Sequence, residues 1–252
     1  MQSNESFTGK SIVITGAGGG LGQILTRAFV ERDAKVYCCL REQSNEFDDF
    51  LKLLPKQSIN KVQTLYFDLT NESEIIAVAN SLIKEKITID VLINNAGAAA
   101  GSTVEMTRMA DLRSIFEVNF FSQIFVIQKL LRLVKKSESG RIINIGSVAG
   151  LVGDRGTLAY GASKASLMYA TKTMANEFAK YKISVNAIAP GVVSTGMSSQ
   201  MDEGARESMT MENFFAAEVD PADVANLACF LASDKSKSIN GQVLRIDNGM
   251  RY

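Results

Sequence analysis

Seven short apolar runs, alternating with stretches of helical spacing, restrict this chain to one broad architecture. The runs are Ser11–Thr15, Lys35–Leu40, Lys61–Phe67, Asp90–Asn94, Arg141–Gly146, Ile183–Ala189 and Gln242–Ile246. Runs that are apolar on both faces suit parallel strands buried from both sides. Between them, Gly20–Arg32 places Leu21, Ile24, Leu25 and Ala28 on one helical face. Asn71 with Glu74 has capping-box spacing for a helix through Ile83. Leu112–Lys136, Leu158–Lys180 and Pro221–Leu231 read as further helices. Strand alternating with helix implies right-handed crossovers and a doubly wound parallel α/β sheet of about seven strands, helices on both faces. The 252 residues contain three prolines and no internal repeat, so residues 1–252 are read as one domain.

Composition removes several kinds of chemistry. The chain has no histidine, which excludes Ser-His-Asp and Cys-His catalysis and HExxH zinc sites, and no metal site is expected. Lys plus Arg and Asp plus Glu are each 27, so there is no general attraction to nucleic acid or an anionic membrane. No apolar run approaches the length of a membrane span, and Met1–Lys10 has no apolar signal core. Of three cysteines, Cys38 and Cys39 are adjacent on a strand and point to opposite faces. That pattern suits structural thiols in a reducing compartment, and the expected location is the cytoplasm.

Residues 194–217 break the pattern. Met197, Met201, Met209, Met211, Phe214 and Phe215 sit among Ser, Glu and Gly without a steady period. Two readings stand: a helical insertion that packs these side chains into the core, or a lid over an apolar substrate.

The turn after the first run, Thr15-Gly16-Ala17-Gly18-Gly19-Gly20-Leu21-Gly22, opens directly into a helix. Glycines let a phosphate approach the backbone, and the helix N-terminus offers it free N–H groups. Further marks follow in order: Asp68-Leu69-Thr70, Asn94-Asn95-Ala96-Gly97, Asn119, Ser147, Tyr160 with Lys164, and Pro190-Gly191 with Val193 and Thr195. Tyr160 and Lys164 are four apart and share one helix face.

Together these motifs resemble the short-chain dehydrogenase/reductase family, over nearly the whole chain to Ile239-Asn240-Gly241-Gln242. The resemblance implies a Rossmann-type fold and a nicotinamide dinucleotide held by Gly16, Gly18, Gly19, Gly20, Leu21, Gly22, Arg41, Asp68, Leu69, Asn95, Ala96, Gly97, Tyr160, Lys164, Pro190, Gly191, Val193 and Thr195. It implies Asn119, Ser147, Tyr160 and Lys164 as the catalytic set, with Ser147 and Tyr160 on the substrate. Tyr160 then gives a proton to the carbonyl oxygen, Ser147 hydrogen-bonds that oxygen, Lys164 binds the nicotinamide ribose and lowers the Tyr160 pKa, and Asn119 anchors a water. The alternative for Asn119 is a polar cap or kink within its helix.

Leu40 stands where relatives preferring NADH carry an acid for the ribose 2′-hydroxyl, and Arg41 follows it. NADPH is therefore the expected cofactor, with NADH second, although Gly18 and Gly19 supply no second cation. Several segments, among them Arg141-Ile142-Ile143-Asn144-Ile145-Gly146-Ser147 and Val185-Asn186-Ala187-Ile188-Ala189-Pro190-Gly191, are similar to the 3-oxoacyl-[acyl-carrier-protein] reductases. The expected reaction is reduction of a 3-oxoacyl thioester on acyl carrier protein or coenzyme A, as in fatty acid biosynthesis. The alternatives are a small ketone, sugar or polyol as substrate, or a non-catalytic dinucleotide sensor. Arg132 with Lys135-Lys136 is a candidate carrier-docking patch or simply a solvated helix end, and Asn176 stands where carrier-protein reductases often have Arg. The resemblance also implies a homo-oligomer, a tetramer built through the two long helices.

Overall fold

The computed structural model describes residues 6–195, 204, 210–211 and 213–250. Its strands are β1 Ser11–Thr15, β2 Lys35–Leu40, β3 Val62–Tyr66, β4 Val91–Asn94, β5 Arg141–Ile145, β6 Ser184–Pro190 and β7 Val243–Ile246. They form one sheet in the order β3-β2-β1-β4-β5-β6-β7, and every pairing is parallel. The order reverses between β1 and β4, which opens a crevice at the C-terminal ends of these strands.

The helices are α1 Gly20–Val30, α2 Asn45–Lys52, α3 Lys56–Ile59, α4 Glu72–Lys84, α5 Met109–Phe116, α6 Ser122–Val134, α7 Leu158–Phe178 and α8 Pro221–Ala232. Leu25 and Phe29 of α1 and Val224 and Ala228 of α8 pack on one face of the sheet with Ile12, Ile14 and Ile143. Ile75 of α4, Ile127 and Leu130 of α6 and Met174 of α7 pack on the other with Val13, Leu92 and Ile142. Alternate residues of one strand thus enter opposite cores, as burial from both sides requires. Cys38 joins the first core and Cys39 the second, and burial pushes the Cys38 thiol up to about 12 and Cys39 higher still.

Four local outcomes differ from the sequence reading. First, α2 and α3 fill a stretch between the second and third runs in which the sequence reading named no particular helix. Ser44 caps α2 by accepting from Phe47 N at 3.2 Å, and Phe47 and Phe50 are buried. Second, the Asn71 side chain caps α4 through Ser73 N and Glu74 N, but Glu74 does not return to the Asn71 N–H. Its carboxylate instead accepts from Asp68 N and Asn71 Nδ2, both at 2.7 Å, which ties the helix start to the turn that carries Asp68. Third, the helix expected over Leu112–Lys136 begins at Met109 and contains a π turn at Glu117–Phe121. The extra residue frees carbonyls: Ser122 Oγ donates to Glu117 O at 2.7 Å and Gln123 Nε2 to Val118 O at 3.0 Å.

Fourth, the expectations for 194–217 fall largely outside the described residues, Met197, Met201 and Met209 included. Met211, Phe214 and Phe215 are described and exposed, so these three side chains are not core. Among the described residues, no helix is long and apolar enough to cross a membrane.

Candidate active site

A cleft of about 820 Å³ runs along the C-terminal edge of the sheet across the β1/β4 crevice. Sixteen sequence positions expected to hold cofactor without acting in catalysis line it, from Gly16 through Thr195, and so do Ser147, Tyr160 and Lys164. Asn119 does not line it and is fully buried beneath.

One end of the cleft is the glycine turn. Gly16 has φ +64, and a Cβ there would lie 2.7 Å from Ala96 Cα, so only glycine lets β1 turn this close to the loop after β4. A Cβ on Gly22 would run into the Gly16 carbonyl oxygen. The N-cap of α1, Gly19, makes no side-chain capping bond, and the first turn carries no acid. The helix therefore presents uncapped N–H groups and its positive end to the cleft, which fits a pyrophosphate.

Thr15 and Asn95 lock the two sides of the crevice. Thr15 Oγ1 accepts from Asn95 N at 3.0 Å and Ala96 N at 3.1 Å, while Asn95 Nδ2 donates to Thr15 O and Gly16 O, each at 3.0 Å. The Asn95 amide donors are thus spent on the scaffold, and its contribution to the cleft is backbone and shape.

At the far end, Asp68 accepts from Thr70 N and Thr70 Oγ1, both at 2.7 Å, and these bonds hold its carboxyl below the usual carboxylate range. Arg41 Nε stands 3.7 Å from Asp68 Oδ2 with its side chain 77% exposed. Leu40, Cys39, Phe67 and Glu46 also line this end; sequence reading passed over Glu46 because it lies in the unrecognised helix α2.

The chemistry-bearing end gathers three elements. Ser147 follows β5, is 7% exposed, and its Oγ accepts from Ala149 N at 3.2 Å. Tyr160 and Lys164 project from α7. Burial raises the Tyr160 pKa above its ordinary value, and a hydrogen bond with Ser147 partly offsets this. Burial lowers Lys164 to about 8, and its Nζ donates to Ile145 O at 2.8 Å. That ammonium lies 5.9 Å from the Tyr160 ring centroid. Here desolvation sets the direction for Tyr160 and the ammonium is turned to a carbonyl, whereas the lowering expected from sequence draws on Lys164 together with the positive charge of a bound cofactor.

Asn119 sits in the π turn with its amide committed to protein. Its Oδ1 accepts from Ala98 N at 2.7 Å, and its Nδ2 donates to Ala98 O at 2.9 Å and Ser163 Oγ at 3.0 Å. Ser163 Oγ in turn donates to Tyr160 O at 2.7 Å. Asn119 thus clamps the loop after β4 to α7 at Ser163, the residue next to Lys164. The opposite wall comes from β6: Pro190, Gly191, Val193 and Thr195 line the cleft, and Gly191 N donates to Ile246 O at 3.0 Å.

Lys135 and Lys136 lie elsewhere. Lys136 Nζ donates to Ile87 O at 3.1 Å and Lys135 Nζ covers the Tyr181 ring at 3.6 Å, both at the strand N-terminal edge. A partner docked there would stand across the sheet from Ser147 and Tyr160.

Comparison with known proteins agrees with this geometry. Residues 10–206 match the short chain dehydrogenase family. The 3-oxoacyl-[acyl-carrier-protein] reductase of Thermotoga maritima is 34% identical over 96% of this chain and 98% of its own. The Pseudomonas aeruginosa protein RhlG, solved as an active-site complex with NADP, superposes with a TM-score of 0.88 at 30% identity, covering 99% of both chains. A dehydrogenase/reductase of Sinorhizobium meliloti superposes with a TM-score of 0.88 at 26% identity, covering 98% of this chain and 96% of that one.

Proposed function

This chain belongs to the short-chain dehydrogenase family and is an NAD(P)-dependent oxidoreductase acting on a carbonyl or hydroxyl group, and on that premise we propose that it reduces a 3-oxoacyl thioester to the 3-hydroxyacyl thioester with NADPH. The observation that carries the reading is the meeting of Ser147, Tyr160 and Lys164 in the cleft that also holds the glycine turn. The curated relative from Thermotoga maritima supports the thioester, and the NADP complex of RhlG supports the cofactor. We treat residues 1–252 as one catalytic domain working in the cytoplasm.

The residues fit a dinucleotide. The uncapped start of α1 would take the pyrophosphate, Asp68 and Leu69 the adenine, and Arg41 a 2′-phosphate. Lys164 beneath Gly97 would take the nicotinamide ribose; a Cβ at Gly97 would stand 3.2 Å from Lys164 Nζ, so the bare backbone leaves that approach open. Pro190, Gly191, Val193 and Thr195 would wall the nicotinamide. When bound, the reduced nicotinamide supplies the hydride.

The chain's own residues handle the proton and the charge. Tyr160, kept protonated at neutral pH by its burial, donates its phenolic proton to the substrate carbonyl oxygen. Ser147 Oγ donates to the same oxygen and stabilises the negative charge that grows on it. Asn119, through Ala98 and Ser163, fixes the loop and helix between which the carbonyl must sit.

The test is loss of absorbance at 340 nm with acetoacetyl-coenzyme A, NADPH and NADH in parallel, beside a small ketone and a sugar. Thioester-dependent loss that is faster with NADPH supports the reading. Turnover of the ketone or sugar alone rejects the thioester.

A further inference from the structure

We propose that Glu46 is a specificity-determining residue at the adenine end of the cleft, where its carboxylate opposes Arg41 in selecting a cofactor that carries a 2′-phosphate. The inference rests on the dinucleotide reading above and goes beyond it, because position 46 lies outside the motifs that carry that reading.

Three charged side chains line this end: Arg41, Glu46 and Asp68. Asp68 is fixed and ionised by its two bonds from Thr70, and it stands 3.7 Å from Arg41 Nε. Glu46 is exposed and makes no hydrogen bond or ion pair through its side chain with the described residues, so its charge is uncompensated there. One cation therefore faces two carboxylates. A 2′-phosphate of nearly two negative charges would enter a region that is net negative.

The placement is built in by local structure. Ser44 caps α2 through Phe47 N, and the buried Phe47 and Phe50 anchor the helix on the core. Glu46 is thereby held in the first turn, where it lines the cleft. That turn would otherwise offer a phosphate the positive end of a helix, and Glu46 together with Asp48 offsets it. Arg41 attracts the phosphate, Glu46 repels it, and the preference is set by their difference.

The test uses two adenine nucleotides that need no turnover, 2′,5′-ADP and 5′-AMP, bound to the full chain and measured by calorimetry at low and high salt. Glu46→Gln is expected to tighten 2′,5′-ADP by about three- to tenfold at low salt, the size of one unit charge removed several ångströms from a phosphate in a wet cleft. The gain shrinks at high salt, and 5′-AMP changes far less. Glu46→Asp, which keeps the charge, stays with the wild type. Equal tightening of both nucleotides, or unchanged 2′,5′-ADP affinity, overturns the proposal. Because binding is read without substrate, a failure of the thioester assignment leaves this result standing. Failure of the wild-type chain to bind either nucleotide overturns both this proposal and the adenine placement.

Discussion

Lys164 Nζ donates to the backbone carbonyl of Ile145 at 2.8 Å, so the buried ammonium of α7 is fastened to the end of the strand that leads into Ser147. This bond orients the lysine, yet one carbonyl does not replace the water that burial removes, and its pKa falls to about 8. The lysine is held in place against its own solvation.

Lys164→Met should therefore separate stability from activity. Charging Lys164 in the folded chain costs on the order of 3 kcal/mol relative to the unfolded chain. The folded pKa is depressed, so this penalty is fully present below pH 8 and relieved as pH rises from about 8 towards 10.5. Turnover should vanish in the variant, while its Tm at pH 7 is no lower than wild type. Wild type should close the gap in melts at pH 9.5. A variant that melts well below wild type at pH 7 contradicts this.

The rate of reduction should fall at alkaline pH. Lys164 loses its charge above about 8, which would weaken the hold on the ribose proposed for it. Tyr160, raised by burial, keeps its proton beyond that point. A profile of kcat/KM from pH 6 to 10 should therefore bend near 8 and show no second bend from Tyr160 within that range. A first bend well below 8 would not fit this assignment.

Arg41→Ala should raise the KM for NADPH about tenfold and leave that for NADH nearly unchanged, because it removes one charge-assisted contact to a 2′-phosphate. Parallel steady-state kinetics with the two cofactors check it. An equal rise for both would move Arg41 from phosphate reading to general support of the adenine turn.

Much of this was legible before any coordinates. The strands show as runs apolar on both faces, because both faces of β1, β4, β5 and β6 are buried, and the positions lining the cleft follow from motifs at strand ends. Helix α2 was within reach: Phe47, Phe50, Leu51 and Leu54 keep helical spacing behind Ser44, but Glu42, Glu46, Asp48 and Asp49 dilute the apolar pattern around them. The π turn was not, since 3.6 and about 4.4 residues per turn diverge too little over five residues to show in a pattern. Nor were the partners of Asn119, because Ala98 and Ser163 are distant in sequence and meet only through the fold. The direction of the Tyr160 shift depends on burial, which spacing alone does not report.

Asn119→Ala should destabilise the fold by about 2–4 kcal/mol, since it leaves Ala98 N–H and C=O and Ser163 Oγ without their buried partner. Urea unfolding measures it. A loss of activity with unchanged stability would instead assign Asn119 a direct part in proton movement.

The most direct test of the account is Tyr160→Phe, assayed at pH 7 with NADPH and acetoacetyl-coenzyme A beside cofactor binding by fluorescence. Removing only the phenolic proton donor should lower kcat by about 100-fold or more and leave the cofactor Kd within a few-fold of wild type. Turnover near the wild-type rate would show that another group gives the proton, and the assignment of Ser147, Tyr160 and Lys164 as the reacting set would fall.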